Sequence, residues 1–291
     1  MPQCEGMAGR LYIVSTPIGN LEDITQRALR ILREVDLIAC EDTRHTRKLL
    51  THFGIETKTI SYHEHNETDR AGELCEMLAA GKSIALVSDA GTPLISDPGF
   101  RIVSLAIEKG LKAVPVPGAN AAVAALSAAG LPTDEFFFAG FLPARSGARV
   151  ARLEQLQSLE ATLIVYEAPH RIAATLRDAA EILGPRDAVV VRELTKLHEE
   201  FTRGTLNQLA ETFTDKNKAR GEIVLLIAGA RETDRQTAHQ SGATAFAERF
   251  ASLQQQGLDE KGALKKAARE LGLKRDEAYR LMMAQKNRRS R

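Results

Sequence analysis

The 291-residue chain has no tryptophan, and aromatic residues make up only 5% of it. Base stacking on an aromatic platform is therefore not the expected route to RNA. Cysteine is scarce too, and Cys4, Cys40 and Cys75 are odd in number and far apart. Their spacing fits neither a metal site nor a disulfide framework, so it predicts no metal and a reducing, cytoplasmic setting. No run approaches the roughly 20 apolar residues of a membrane span, and no membrane partner is expected. Residues 1–9 show no apolar signal-peptide core and read as a short disordered lead. A Walker lysine loop, a G-x-G-x-x-G fingerprint and a G-x-S-x-G nucleophile elbow are all missing.

What is there is an ordinary globular composition, 44% hydrophobic and 26% charged, long enough for about two domains. The net charge of +1 is spread unevenly. Residues 241–291 hold 12 Lys/Arg against 6 Asp/Glu, leaving 27 against 32 on the rest. A basic tail on a mildly acidic body points to an anionic partner.

The chain is organised around residues 84–99. The apolar run Ile84–Val87 reads as a buried strand. It breaks into Ser88-Asp89-Ala90-Gly91-Thr92-Pro93, where Gly91 permits a tight turn and close approach of a ligand. Asp97-Pro98 then reads as a helix cap followed by proline at the first helical position. Over 89–99, two carboxylates, two hydroxyls, two glycines and two prolines exceed what a plain turn requires.

Around this stretch, strands and helices alternate from 10 to 129. A strand at 10–14 is followed by a helix from near Asp23. A strand at 35–40 is followed by a helix over 48–53, and a weak strand covers 58–62. A strand at 113–116 leads into the small-residue helix Ala121–Ala129. That is the pattern of a parallel sheet covered on both faces. The expected fold class is α/β, with a parallel N-terminal domain over 10–130, a boundary at Gly130–Asp134 and a mixed α/β domain over 135–231. In the second domain a helix is expected over 145–159, with Arg145, Arg149 and Arg152 as basic positions. A polar linker at 231–242 precedes a basic helix–turn–helix-like segment over 243–291, with its turn at Gly272-Leu273-Lys274.

Several constellations fall at strand ends, where an open α/β sheet places its ligand. Glu41-Asp42-Thr43-Arg44-His45 combines carboxylates with an arginine and reads either as a ligand grip or as a helix cap with an ion pair. Glu167-Ala168-Pro169-His170-Arg171 reads either as a phosphate site or as capping. Arg192-Glu193-Leu194-Thr195-Lys196 repeats the theme, and Gly221-Glu222 opens the last strand. His63, His65, Glu64 and Glu67 do not match a metal-ligand spacing and read as a solvated loop.

Seven of these motifs occur in one order: Ser15-Thr16-Pro17-Ile18-Gly19-Asn20-Leu21, Glu41-Asp42-Thr43-Arg44, Ser88–Pro93, Pro117-Gly118-Ala119-Asn120-Ala121, Glu167–Arg171, Arg192–Lys196 and Gly221-Glu222. Together they closely resemble the 16S rRNA cytidine-2′-O-methyltransferases of the tetrapyrrole methylase superfamily, over about residues 10–230. Ala168 departs from the small polar residue found in many relatives. The resemblance implies two α/β domains with S-adenosylmethionine in the cleft between them and usually a homodimer. It also implies methylation of a cytidine ribose in the decoding centre of the small ribosomal subunit. It carries cofactor contacts onto Pro17, Asp89, Ala90, Gly91, Ser96, Ser127, Ala128, Tyr166, Gly221, Glu222 and Ile223. Removal of the 2′-hydroxyl proton needs a base, for which Glu41, Glu167, His170, Glu193 and Lys196 are candidates. Arg44, Arg145, Arg149 and Arg171 are candidates for RNA phosphate contacts, and the basic tail adds salt-dependent affinity. Two other readings stay open. One is a methylase of a tetrapyrrole or corrinoid precursor, which would have no use for a basic tail. The other is a non-catalytic ribosome-binding protein.

Overall fold

The computed structural model describes residues 8–214, 220–230, 246–271, 278–279 and 282–283. The expectations for the lead before residue 8, the linker at 231–242, the turn at 272–274 and most of the third tail helix lie outside the described residues.

The first sheet is all parallel. Its strands are β1 (Arg10–Val14), β2 (Leu37–Cys40), β3 (Thr59–Ser61), β4 (Ile84–Val87) and β5 (Lys112–Val116), in the order β3-β2-β4-β1-β5. Every residue of β2 and β4 is buried, because helices cover both faces of a parallel sheet. Those helices are α1 (Gln26–Glu34), α2 (Thr43–His52), α3 (Glu67–Ala79) and α4 (Phe100–Glu108). One face packs α1 and α2 through Leu29, Leu32 and Leu50, and the other packs α3 and α4 through Leu74, Leu78 and Ile102.

Two local readings are corrected here. The helix expected near Asp23 is split: Asn20 caps a short 3-10 turn at Leu21–Asp23, and Thr25 then caps α1. Asp97 does not cap a helix. α4 begins two residues later, at a Gly99 N-cap with φ 141° and no side-chain cap. The chain leading into Asp97 turns through Leu94 (φ 74°) and Ser96 (φ 67°), both left-handed, and Asp97 lines a cavity instead.

The second sheet is mixed, as the sequence suggested. Its strands are β6 (Phe136–Phe141), β7 (Thr162–Glu167), β8 (Asp187–Arg192), β9 (Glu200–Thr205) and β10 (Ile223–Ile227), in the order β6-β7-β10-β8-β9. Only β6 and β7 run parallel; the other three pairs are antiparallel. One face carries α6 (Ser146–Leu156), α7 (Ile172–Leu183) and α8 (Leu206–Thr212). The other face carries α5 (Ala121–Ala129), which leaves the first sheet at β5 and lays Ala122, Ala125, Leu126 and Ala129 on Ile164, Val189, Val224 and Leu226. This i, i+3, i+4, i+7 row of small side chains brings the helix close to the strands. Residues through Gly229, both sheets included, form one compact unit.

The residues from Ala230 form a second unit. Its described helices, α9 (residues 246–255) and α10 (Glu260–Glu270), join at Gly257, with φ 89°. They share a small core of Phe246, Phe250, Leu253, Ala263 and Ala267. Among the described residues no helix is long and apolar enough to cross a membrane.

Candidate active site

The loops that follow β1, β2, β4 and β5 meet at the carboxyl edge of the first sheet. Thr16 and Gly91 exchange backbone hydrogen bonds of 2.9 and 3.1 Å, tying the first loop to the central one. The Thr16 hydroxyl donates to Ser88 O at 3.2 Å. The Ser15 and Thr92 hydroxyls meet at 3.1 Å, and Thr92 donates to Ala119 O at 3.1 Å. From the β2 loop, Asp42 N donates to the Asp89 carboxylate at 3.1 Å. The dense hydroxyls and glycines of the motifs thus form a rigid seat. Gly91 has φ 80°, and a Cβ there would stand 3.2 Å from Ile18. Gly118 is held to glycine by contact, since its Cβ would lie 2.8 Å from Ser15 Cβ.

Two adjoining cavities open at this edge. Cavity one measures about 400 Å³ and cavity two about 410 Å³; both are bordered by Ile18, Ala90 and Glu222. Cavity one has apolar walls, including Ile95, Phe141, Tyr166 and Ile223, with Thr92, Ser96, Asp97 and Asn120 as its polar groups from the first sheet's loops and α5. Tyr166 is wedged edge-on between Phe138 and Phe141, with centroids 4.9 and 5.7 Å away, and burial raises its pKa. Cavity two is more polar and is lined by Pro17, Asp89, Lys196 and one side of α2.

The carboxylates near the central loop sit in one another's negative field. Burial pushes Asp97 up to about 6; Glu41 and Asp89 push the same way, while a hydrogen bond from Ser88 opposes them. Burial, with Asp89 second, also raises Glu41. Among the described residues no Lys or Arg forms an ion pair with Asp89 or Asp97. Such a field favours a ligand that brings positive charge. Asp42 differs: the Arg44 side chain and backbone N–H hold it down at about 2.

From the second sheet, a latch closes on the shared border. Lys196 Nζ bridges Glu193 at 3.0 Å and Glu222 at 3.2 Å. Glu193 Oε1 also accepts from Glu222 N at 3.0 Å. Gly221 makes room for this, since a Cβ there would fall 2.0 Å from Glu193 Oε1. Glu193 (φ 53°) and Thr195 (φ 66°) hold left-handed conformations, a local cost of the kind concentrated at working sites.

The family model of the tetrapyrrole (corrin/porphyrin) methylases matches residues 10–210. The chain belongs to that family. A ribosomal RNA small subunit methyltransferase I from Synechocystis sp. is 49% identical over 276 residues, which covers 94% of this chain and 98% of the relative. One from Pseudomonas aeruginosa is 53% identical over 224 residues, covering 76% and 79%. Among solved structures, a cobalt precorrin-4 methyltransferase superposes with TM-score 0.58 at 18% identity, over 78% of this chain and 97% of that one. A Thermus thermophilus uroporphyrin-III C-methyl transferase complexed with S-adenyl homocysteine gives TM-score 0.54 at 19% identity, over 76% and 97%. These two likenesses show the tetrapyrrole methylase fold.

In this tetrapyrrole methylase, seven sequence-nominated cofactor residues line cavity one: Ala90, Gly91, Ser96, Tyr166, Gly221, Glu222 and Ile223. Pro17 and Asp89 line cavity two. Ser127 and Ala128 line neither. They sit at the far end of α5, about 9 Å along its axis from Ala121, where Ser127 donates to Ala124 O and the Ala128 carbonyl is taken by Arg203.

Among the base candidates, Glu167 borders cavity one, but its carboxylate is taken up by internal partners. Its side chain is fully buried and accepts from Thr175 at 2.5 Å and from Ala168 N at 2.8 Å, with Arg171 at 3.1 Å. His170 is exposed and borders neither cavity. Glu193 is held below the ordinary carboxylate range by the Glu222 N–H and by Lys196. Burial disfavours the Lys196 ammonium, but its hydrogen bonds to Glu193 and Glu222 outweigh that and raise its pKa; it stays charged and is a poor base. Glu41 lines neither cavity but shares the field of Asp89 and Asp97.

Among the RNA candidates, Arg149 is corrected likewise. It is 4% exposed, ion-paired to Asp178 at 2.7 Å, and donates to Ala144 O at 3.1 Å. Arg171 is turned inward onto Glu167 and Leu142 O. Arg44 is exposed but folds onto Asp42 at 2.9 Å. Arg145 is exposed ahead of α6. Sequence reasoning missed Asp97 as a cavity residue and Phe141 altogether. Gly140 was the available signal for Phe141. A glycine inside a strand marks a bulge, and the β6–β7 register does shift between Phe138 and Gly140.

Proposed function

We propose that this tetrapyrrole methylase transfers the methyl group of S-adenosylmethionine to the 2′-oxygen of a cytidine ribose in 16S rRNA, in the decoding centre of the small ribosomal subunit. The single observation that carries this reading is the pair of cavities sharing Ile18, Ala90 and Glu222: one lined by Asp97, Glu167 and Glu222 with no lysine or arginine, the other by Lys48 and Lys196 beside Asp89 and Glu222. The names of the sequence relatives support ribosomal RNA as the methyl acceptor. The solved relative complexed with S-adenyl homocysteine supports the cofactor.

Cavity one fits the cofactor chemically. Its apolar walls suit an adenosine, and Asp97 and Glu222 suit cationic groups. When bound, S-adenosylmethionine supplies an electrophilic methyl on a sulfonium. The residues of the chain do the rest. The hydrogen-bonded seat of the first sheet and the latch of the second hold two ligands against one border, so positioning carries much of the rate. Asp89 and Glu222 are the carboxylates lining cavity two, and the 2′-hydroxyl proton passes to one of them. A homodimer and a cytoplasmic location belong to the same reading. Phe100 and Ile107 of α4 stand 73% and 63% exposed, apolar surface suited to a second copy.

The test is to incubate the protein with methyl-labelled S-adenosylmethionine and small subunits, naked 16S rRNA or a tetrapyrrole precursor. Label on a cytidine 2′-oxygen in RNA is the expected result. Label only in the tetrapyrrole, or none despite cofactor binding, overturns it.

A further inference from the structure

The side of α2 that carries Lys48 is used by nothing described so far. His45, Lys48, Leu49 and His52 stand at i, i+3, i+4 and i+7, one face of a helix, and all four line cavity two. Lys48 forms no ion pair among the described residues. His45 and His52 supply the only aromatic rings of that lining, and Lys196 adds a further ammonium. The structure assigns cavity two to one extruded nucleotide of a polynucleotide, with Lys48 meeting a phosphate beside it and the two imidazoles flanking the base.

This deepens the proposed function and rests on it. Three arguments carry it. About 410 Å³ falls within the usual range for small-ligand sites, roughly 300–1,000 Å³, and suits one nucleoside rather than a duplex. A nucleotide that enters a cavity of this size leaves its stack, and Lys48 and Lys196 on the wall can meet its phosphate. Flat rings are needed to replace lost stacking, and histidine provides them where the lining has no Phe, Tyr or Trp. The border shared with cavity one then places the ribose of that nucleotide beside the methyl donor. Of the arginines nominated from sequence, Arg149 and Arg171 are turned inward, so the phosphate wall is moved from the second sheet to α2.

The experiment compares the full-length protein with Lys48→Gln and with the double variant His45→Ala/His52→Ala. It measures KM and kcat for small subunits, the salt dependence of subunit binding, and the Kd of S-adenosylmethionine. All three side chains are exposed, so these variants fold. The expected result is a KM for the subunit raised several-fold in both, with cofactor Kd unchanged because α2 does not line cavity one. Lys48→Gln should also lower the salt slope by about one. Unchanged KM and salt slope overturn this inference while leaving the proposed function standing. A cofactor Kd weakened as much as the subunit KM overturns it too, since α2 would then be acting through the fold. A wild-type protein that binds the cofactor and labels no RNA overturns the proposed function itself, and this inference with it.

Discussion

Carboxylates sit at the working ends of both sheets, and they are in opposite conditions. Glu167, at the end of β7, is fully buried and satisfied by Arg171, Thr175 and Ala168 N. Asp97 and Asp89, in the loop after β4, share a field with Glu41 and have no ion-pairing Lys or Arg among the described residues. Both stretches are equally rich in chemistry-bearing residues as strings. The difference lies in what the rest of the fold brings to them. An internal cation turns one carboxylate into structure. Without an ion-pairing lysine or arginine among the described residues, the others are poised for a charged ligand. The same contrast separates Arg149, which Asp178 of α7 draws inside, from Lys48, which faces a cavity.

The comparison can be broken most forcefully at Glu167. Glu167→Leu should leave Arg171 without its partner and cost about 3–5 kcal/mol of stability, read by denaturant unfolding. A cost near zero would mean that Glu167 is as free as Asp97. Gly221→Ala comes next. Its left-handed backbone costs about 1–2 kcal/mol for an L-residue, and the new Cβ must displace Glu193. Cofactor affinity should therefore fall at least as clearly as stability in calorimetry.

Asp97→Asn sharpens the contrast without breaking the fold. Because folding raises the Asp97 pKa from the ordinary value to about 6, the folded state holds this proton more tightly than the unfolded state. Its contribution to stability is greatest below pH 4 and declines as pH rises toward and through 6. Asp97→Asn should thus melt higher than wild type at pH 8, and that gain should vanish near pH 4. If Asp97 faces the cationic cofactor, the variant should also bind S-adenosylmethionine more weakly at pH 8. The smallest effect is expected at Ser127→Ala, where cofactor affinity should stay at the wild-type level; a clear loss there would put α5 back in the site.

Much of the fold could be read from the string because the physics is local. Short apolar runs such as Ile84–Val87 and the periodicities between them specify strands and helices. The small residues of α5 announced close packing, although not that they would pack on the second sheet. Cavity-lining residues were legible where the backbone itself is the signal, as at Gly91 and Gly221. They were not legible where partners come from afar. Asp97-Pro98 has the form of a helix cap, yet three positive-φ residues, Leu94, Ser96 and Gly99, redirect it to the cavity. Arg149 has the form of a surface cation, and only the placement of Asp178 29 positions away hides it. The face of α2 was not read, because the helix was expected only over 48–53 whereas α2 begins at Thr43, and what that face looks onto is a matter of tertiary structure.

The most direct test of the account is where the methyl donor touches the chain. Ultraviolet cross-linking of labelled S-adenosylmethionine to the protein, followed by peptide mapping, should place label within 90–97, at Tyr166 or within 221–224. Label confined to α6 or to the far end of α5 would contradict the assignment of cavity one.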